Sequence, residues 1–184
     1  MVEKPNIANI AAILVTVASL FAAVSWISSG KAGGEESDHK TAALGFMMLR
    51  LEAATEASTA RVEQQTYVTQ AAMYLAYMQN TTDNEIRAVL EDLWENSLKT
   101  ARDRGMEAEN AENRADKYLN AYEEAIDSAT AFGRISDYRS TGALIFNMSA
   151  IVASCGVILK RREILYVFIP IFAFGMGYLI LSLF

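Results

Sequence analysis

The sequence predicts an all-α membrane protein, with three transmembrane helices and a long extracytoplasmic antiparallel helical hairpin of coiled-coil type. Three observations point there. Ile7 to Ser29, Ser140 to Leu159 and Ile164 to Phe184 carry no charged residue, and a helix needs about 20 apolar residues to cross the hydrocarbon core. Between the first two runs, small and aromatic residues recur at alternating spacings of three and four. Finally, the stretch "VILKRREILY" sets Lys160, Arg161, Arg162 and Glu163 between two apolar runs. Hydrophobic residues make up 52% of the 184 and charged ones 21%, an ordinary average distributed in an extraordinary way. One apolar run could be the core helix of a soluble protein. Three are too many for so polar a remainder to enclose.

The first run differs from a cleaved signal peptide. Its basic start is weak (Lys4 against Glu3) and its apolar region exceeds the usual ~7–15 residues. Trp26 stands near its end, as aromatic anchors do at membrane interfaces. An uncleaved anchor is expected, and the domain division read from the sequence is 1–30 for this helix, 31–139 for the helical segment and 140–184 for a two-helix C-terminal hairpin.

Lys160, Arg161 and Arg162 form the one basic cluster flanked by apolar runs, in a connection short enough to be a tight turn. Short loops rich in Lys and Arg stay on the cytoplasmic side. The expected topology places the N-terminus and the 160–163 turn in the cytoplasm of a cell (plasma or inner) membrane, and residues 31–139 outside. From Gly30 to Arg139 the chain holds twelve basic and twenty acidic residues, a net of −8, as suits a translocated segment.

That segment opens on "GKAGGEESDHK", which reads as a flexible joint. Two helical patterns follow. In the first, Ala53, Ala57, Ala60, Gln64, Tyr67, Ala71, Tyr74 and Met78 keep the three–four spacing. In the second, Ala108, Ala111, Ala115, Tyr118, Tyr122, Ala125, Ala129 and Phe132 do so. This is the seam of two paired helices, rich in small residues that allow close approach. Between them Asn80 can end one helix, and Thr82 with Glu85 makes a capping box that starts the next. Two geometries follow for the second arm: an unbroken helix, or a break at Gly105 with Ile86 to Leu98 folded back. Ile86, Val89, Leu90, Leu93, Trp94 and Leu98 make an apolar face wider than one partner helix covers, which suggests a further helix or subunit.

The C-terminal stretch "RSTGALIFNMSAIVASCGVILKRREILYVFIPIFAFGMGYLILSLF" and, more weakly, "ARVEQQTYVTQAAMYLAYM" resemble a family of small prokaryotic membrane proteins known as a domain of unknown function. The resemblance covers the layout of the whole chain, with the basic turn as its local motif. This chain departs from it in lacking a His-rich stretch before the second span. The resemblance implies architecture and no catalytic activity.

Chemistry-bearing residues are sparse. His39, the sole histidine, forms a Glu-x-x-His spacing with Glu36. These are weak metal candidates, because a carboxylate-bridged site draws ligands from several helices and one imidazole among carboxylates is a poor transition-metal set. No Gly-rich phosphate loop is present, and Cys155, in an apolar run, cannot meet His39 to build a nucleophilic pair. Cys155 is expected to pack as a small apolar residue. The three apolar runs contain no Asp, Glu, Lys, Arg or His, whereas proton relays and ion-coupled carriers need such groups at depth.

The apolar runs do carry small and weakly polar residues. Ala11, Ala18, Ala22 and Ser25 line one side of the first. Asn147, Ser149, Ala153 and Ser154 lie in the second, and Gly175 and Gly177 follow Pro170 in the third. Such residues let helices pack closely in lipid, and Asn147 can hydrogen-bond a neighbouring helix. Asn80-Thr81-Thr82 is an acceptor sequon for glycosylation at the expected tip.

The function expected from these features is a non-catalytic accessory or scaffold subunit with no cofactor. Its partners would be membrane lipid and either itself or a larger membrane complex, and no nucleic acid. The alternative is a homo-oligomeric channel or sensor component, with Asn147, Ser149 and Ser154 as candidate pore lining.

Overall fold

A computed structural model describes the backbone of residues 7–159 and 162–184, and three helices account for nearly all of it: α1 (Ile7–Asn80), α2 (Asn84–Ile158) and α3 (Arg162–Leu181). The protein is all-α, with no strand among the described residues. Two compact units are present, one of Met1–Thr41 with Ala125–Phe184 and one of Ala42–Glu124.

The first unit packs the start of α1, the end of α2 and all of α3 together. Residue pairings give the directions. Ser29 of α1 meets Ser136 of α2, and Phe21 meets Phe146, so those helices are antiparallel. Gly142 faces Tyr178 while Phe146 lies against Gly175, so α2 and α3 are antiparallel too. Ala18, Ala153 and Phe168, one from each helix, form a buried cluster with Phe172 packed against it. Phe146 is fully buried, with ring centroids 5.4 Å from Phe21 and 5.1 Å from Phe172. Aromatic pairs at such separations add to area burial.

The expected flexible joint is absent, because Gly30 to Lys40 is helical throughout. Each glycine costs a helix about 1 kcal/mol relative to alanine, and contacts along this stretch offset that cost. Ser29 and Ser136 bind each other, Lys40 pairs with Glu36 four residues back, and His39 stacks on Phe132 at 5.3 Å. Gly133 has a role here: a Cβ on it would lie 3.1–3.3 Å from the Glu36 carboxylate group, so glycine makes the room.

The second unit is an antiparallel pair formed by α1 from Ala42 and α2 as far as Glu124. Arg61 with Glu112, Arg104 with Glu63 and Arg114 with Glu56 tie one helix to the other. Ala53, Ala57, Ala60, Ala71 and Met78 are buried on α1, with Gln64, Tyr67 and Tyr74 half-buried. On α2, Ala101, Ala108, Ala111 and Ala115 are buried, with Tyr118 and Tyr122 half-buried. Ala125 and Ala129 are buried in the first unit.

Gly105 does not break the second arm; α2 runs through it. A Cβ there would stand 2.6 Å from the Gln64 side-chain nitrogen, so this glycine admits the Gln64 amide. Arg104 meanwhile bonds Glu107 on its own helix and Glu63 across the pair. The folded-back third helix is therefore ruled out.

At the tip Asn80 ends α1, its side-chain amide donating to the Ala76 carbonyl at 2.8 Å. The residue that caps α2 is Asp83, where the sequence reading had Thr82. Asp83 Oδ1 accepts from the backbone N–H of Glu85 at 2.9 Å and of Ile86 at 3.3 Å, satisfying two donors that a helix start leaves free. A carboxylate is also the better charge for a helix N-terminus.

Candidate functional site

The surface of the first unit is its distinctive feature. Its interior is lined by small residues: Ala11, Ala18, Ala22, Ser25, Ser29, Ala143, Ser149 and Ala153 are all buried. Phe146 and Phe168 are buried with them, while many other large apolar side chains point the other way. Ile13, Leu20, Trp26 and Ile27 of α1, Ile151 of α2, and Ile169 and Phe174 of α3 are each more than 60% exposed. α1 is the one helix, among the described residues, long and apolar enough to cross a membrane. Its most apolar window has a mean hydropathy of 2.3 and is only 22% buried. A shorter apolar helix covers Tyr166–Leu181.

Polar groups tie the three helices together. Ser29 Oγ donates to the Ser136 carbonyl at 3.0 Å and Ser136 Oγ donates to the Ser29 carbonyl at 3.2 Å. This reciprocal pair brings two backbones close, as small residues allow. Three residues on, Arg139 donates through Nε to Ser182 Oγ and through its terminal nitrogen to the Ser28 carbonyl, both at 3.3 Å. One guanidinium of α2 thus reaches α1 and the residue that follows α3. The sequence signal for these contacts is an arginine directly before a charge-free run.

The other candidate residues are dispersed. Glu36 is occupied by Lys40 and His39 by Phe132. Among the described residues no group of three or more His, Cys, Asp or Glu side chains is placed to hold a metal ion. Cys155 is exposed, which corrects the expectation that it packs inside. Asn147 is exposed and borders a shallow groove of about 350 Å³ with Ser19, Ala22, Ala23, Trp26 and Ile27. Ser149 is fully buried and its hydroxyl turns back to the Ile145 carbonyl, as that of Ser154 does to Ala150. Residues two apart on a helix point about 200° away from each other, so Asn147 and Ser149 cannot line one common surface. Asn80 is exposed at the end of α1. Lys160 and Arg161 lie outside the described residues, as does the side chain of Arg162.

In the second unit the ion pairs dominate the electrostatics. The Arg61 guanidinium holds the Glu112 carboxyl below its usual range, chiefly by hydrogen bonding, and Arg61 is itself raised. Glu107 and then Glu63 raise Arg104. Beside these pairs runs an open groove of about 840 Å³, bordered by Met48, Leu51, Thr55, Thr59, Arg104 and Arg114 among others. Ile86, Val89, Leu93 and Leu98 are exposed on α2. Leu44, Met48, Leu51 and Val62 are exposed on α1.

Comparison with protein-family models, with curated proteins and with solved structures finds no match to this chain.

Proposed function

We propose that this protein is a multi-pass membrane protein that works as a non-catalytic accessory or scaffold subunit, offering a paired-helix segment to other membrane proteins. One observation carries the embedding: around Phe146 and Phe168 the first unit keeps alanine and serine inside, and it turns Ile13, Leu20, Trp26, Ile27, Ile151, Ile169 and Phe174 outward. Exposed to water, each large side chain would forfeit about 1.5–3 kcal/mol of burial. In lipid that loss disappears, and close approach through small residues becomes the means of helix association. The apolar runs of α1, α2 and α3 are the three spans in this reading, and the resemblance noted in the sequence agrees with it.

Lys160, Arg161 and Arg162 put their turn in the cytoplasm, which leaves residues 31–139 outside. A scaffold role is supported by the exposed apolar side chains on the second unit.

The test is accessibility in intact cells. In a Cys155→Ser background, Asn80→Cys should react with an impermeant maleimide from outside, while Arg161→Cys should react only after lysis. Labelling in the opposite sense overturns the orientation. Release of the chain by alkaline carbonate overturns the embedding itself.

A further inference from the structure

We propose that the open flank of the α1–α2 pair in the first unit is a docking groove for a fourth transmembrane helix. That helix belongs to another protein and offers an Asn or Gln side chain to Asn147 at mid-membrane depth. The proposal names the contact an accessory subunit would use within the bilayer, and it rests on the embedding of this unit.

α3 occupies one flank of the pair. Phe21 of α1 meets Phe172 at 5.6 Å, and a Cβ on Gly175 would stand 3.2 Å from Ile145 of α2. Residues two apart on a helix point about 200° away from each other. Ala23 and Asn147 therefore face the opposite flank, where they border a groove of about 350 Å³ with Ser19, Ala22, Trp26 and Ile27. Its floor is made of small side chains, which let a helix approach closely in lipid. Trp26 and Ile27, 62% and 74% exposed, stand as its rim.

Asn147 determines what kind of occupant fits. Other polar side chains of these spans are satisfied on their own helix: Thr16 donates to the Ala12 carbonyl, Ser149 to Ile145 and Ser154 to Ala150. Asn80, at the tip, likewise turns its amide back to Ala76. The Asn147 carboxamide carries two donors and an acceptor oxygen. It is exposed and has no hydrogen-bond partner among the described residues. It lies eight residues from Arg139 along α2, about 12 Å into a hydrocarbon core about 30 Å thick. Lipid phosphates and esters are beyond the reach of so short a side chain, and acyl chains offer nothing to bond. A polar group left unpaired at that depth is costly. A helix with its own amide supplies both the donor and the acceptor that are missing.

Shape separates another protein from a second copy. A second copy docked here about a two-fold axis presents the same patch, and two concave faces hold their small floors apart. A single convex helix seats against Ser19 and Ala23 and leaves no such gap.

The test uses the full chain with Trp94→Phe in phosphatidylcholine vesicles, so that Trp26 at the rim is the reporter. The probes are two synthetic polyleucine helices with lysine ends, one with a central Asn and one without. Each carries nitroxide quenchers about two turns to either side of its centre, level with Trp26. The Asn peptide should quench Trp26 at an about 3- to 20-fold lower peptide-to-lipid ratio, the range for one interhelical hydrogen bond in a bilayer. Asn147→Leu should abolish that preference and Asn147→Gln retain it, both with unchanged helical circular dichroism. Equal quenching by the two peptides, or a preference that survives Asn147→Leu, overturns the proposal. Copies with Ala23→Cys and Cys155→Ser should stay monomeric under a short bis-maleimide in the same vesicles. Covalent dimers there would give the groove to a second copy and overturn it too. Carbonate extraction separates the two readings: a chain that stays embedded yet shows no preference fails here alone, and a chain that is released loses the embedding and the groove together.

Discussion

Arg61 and Glu112 form a two-point ion pair across the second unit, Nε to one carboxylate oxygen at 3.1 Å and a terminal nitrogen to the other at 3.0 Å. Parallel bonds of this kind fix direction as well as distance. The pair sets α1 and α2 in register over a seam made mostly of alanine, where side-chain shape alone offers little to prevent sliding.

This pair should give the second unit a small sensitivity to acid. Because Arg61 depresses the Glu112 carboxyl in the folded protein, its contribution is complete above the unfolded glutamate value and declines as pH falls through the lower folded value. Glu112→Gln should remove part of the acid-side slope in a thermal-melt series from pH 7 to pH 3. Both groups are solvent-exposed, so the effect at neutral pH should be slight. An unchanged slope would show that other carboxylates carry the acid response.

The start of α2 offers a sharper distinction. Asp83→Ala removes the acceptor for two backbone N–H groups and should cost about 0.5–2 kcal/mol. Thr82→Ala should leave stability within about 0.5 kcal/mol, as at an ordinary surface site. Chemical denaturation of the purified protein in detergent measures both. A larger loss for Thr82 would restore the capping box first read from the sequence.

Some of this structure was plain in the sequence, and the reasons can be stated residue by residue. The seam positions from Ala53 to Met78 obey a helical period, and every one of them is buried or half-buried. Ala11, Ala18, Ala22 and Ser25 were read as one side of a helix and are all buried. The joint at Gly30 to Lys40 was misread because glycine and charge signal flexibility only when nothing packs against them, and here Ser136, Phe132 and Gly133 do. Asp83 was missed because Thr82, Asp83 and Glu85 offer two overlapping caps, and side-chain geometry alone chooses between them. The Arg139 contacts join residues more than forty positions apart, beyond the reach of any local pattern.

The seam itself can be challenged by charge. Ala57 is 5% exposed, and Ala57→Glu forces a carboxylate in among alanines; an unpaired buried charge costs about 3–5 kcal/mol. Glu123 is exposed, and Glu123→Ala should change stability by no more than about 0.5 kcal/mol. Limited proteolysis of the second unit in membranes should cut the Ala57 variant readily and spare the other. Equal resistance would mean that the two helices are held apart at Ala57.

The two glycines of α3 give the most discriminating pair, because they share an element and differ only in what lies beside them. A Cβ at Gly175 would fall 2.9 and 3.0 Å from ring carbons of Phe146 and 3.2 Å from Ile145. Phe146 is fully buried between Phe21 and Phe172, so its ring cannot swing aside without disturbing both. Gly175→Ala should therefore destabilise by about 1–3 kcal/mol, the usual cost of overfilling a packed interior. At Gly177 no atom lies within 4 Å of the added carbon, and Gly177→Ala should be neutral or stabilise by up to about 1 kcal/mol through helix propensity. Thermal unfolding in a mild detergent, followed by loss of helical circular dichroism, would rank the two variants against the parent. If both alanines behaved alike, α3 would not pack against α2 through Gly175, and the three-helix arrangement of the first unit would have to be redrawn.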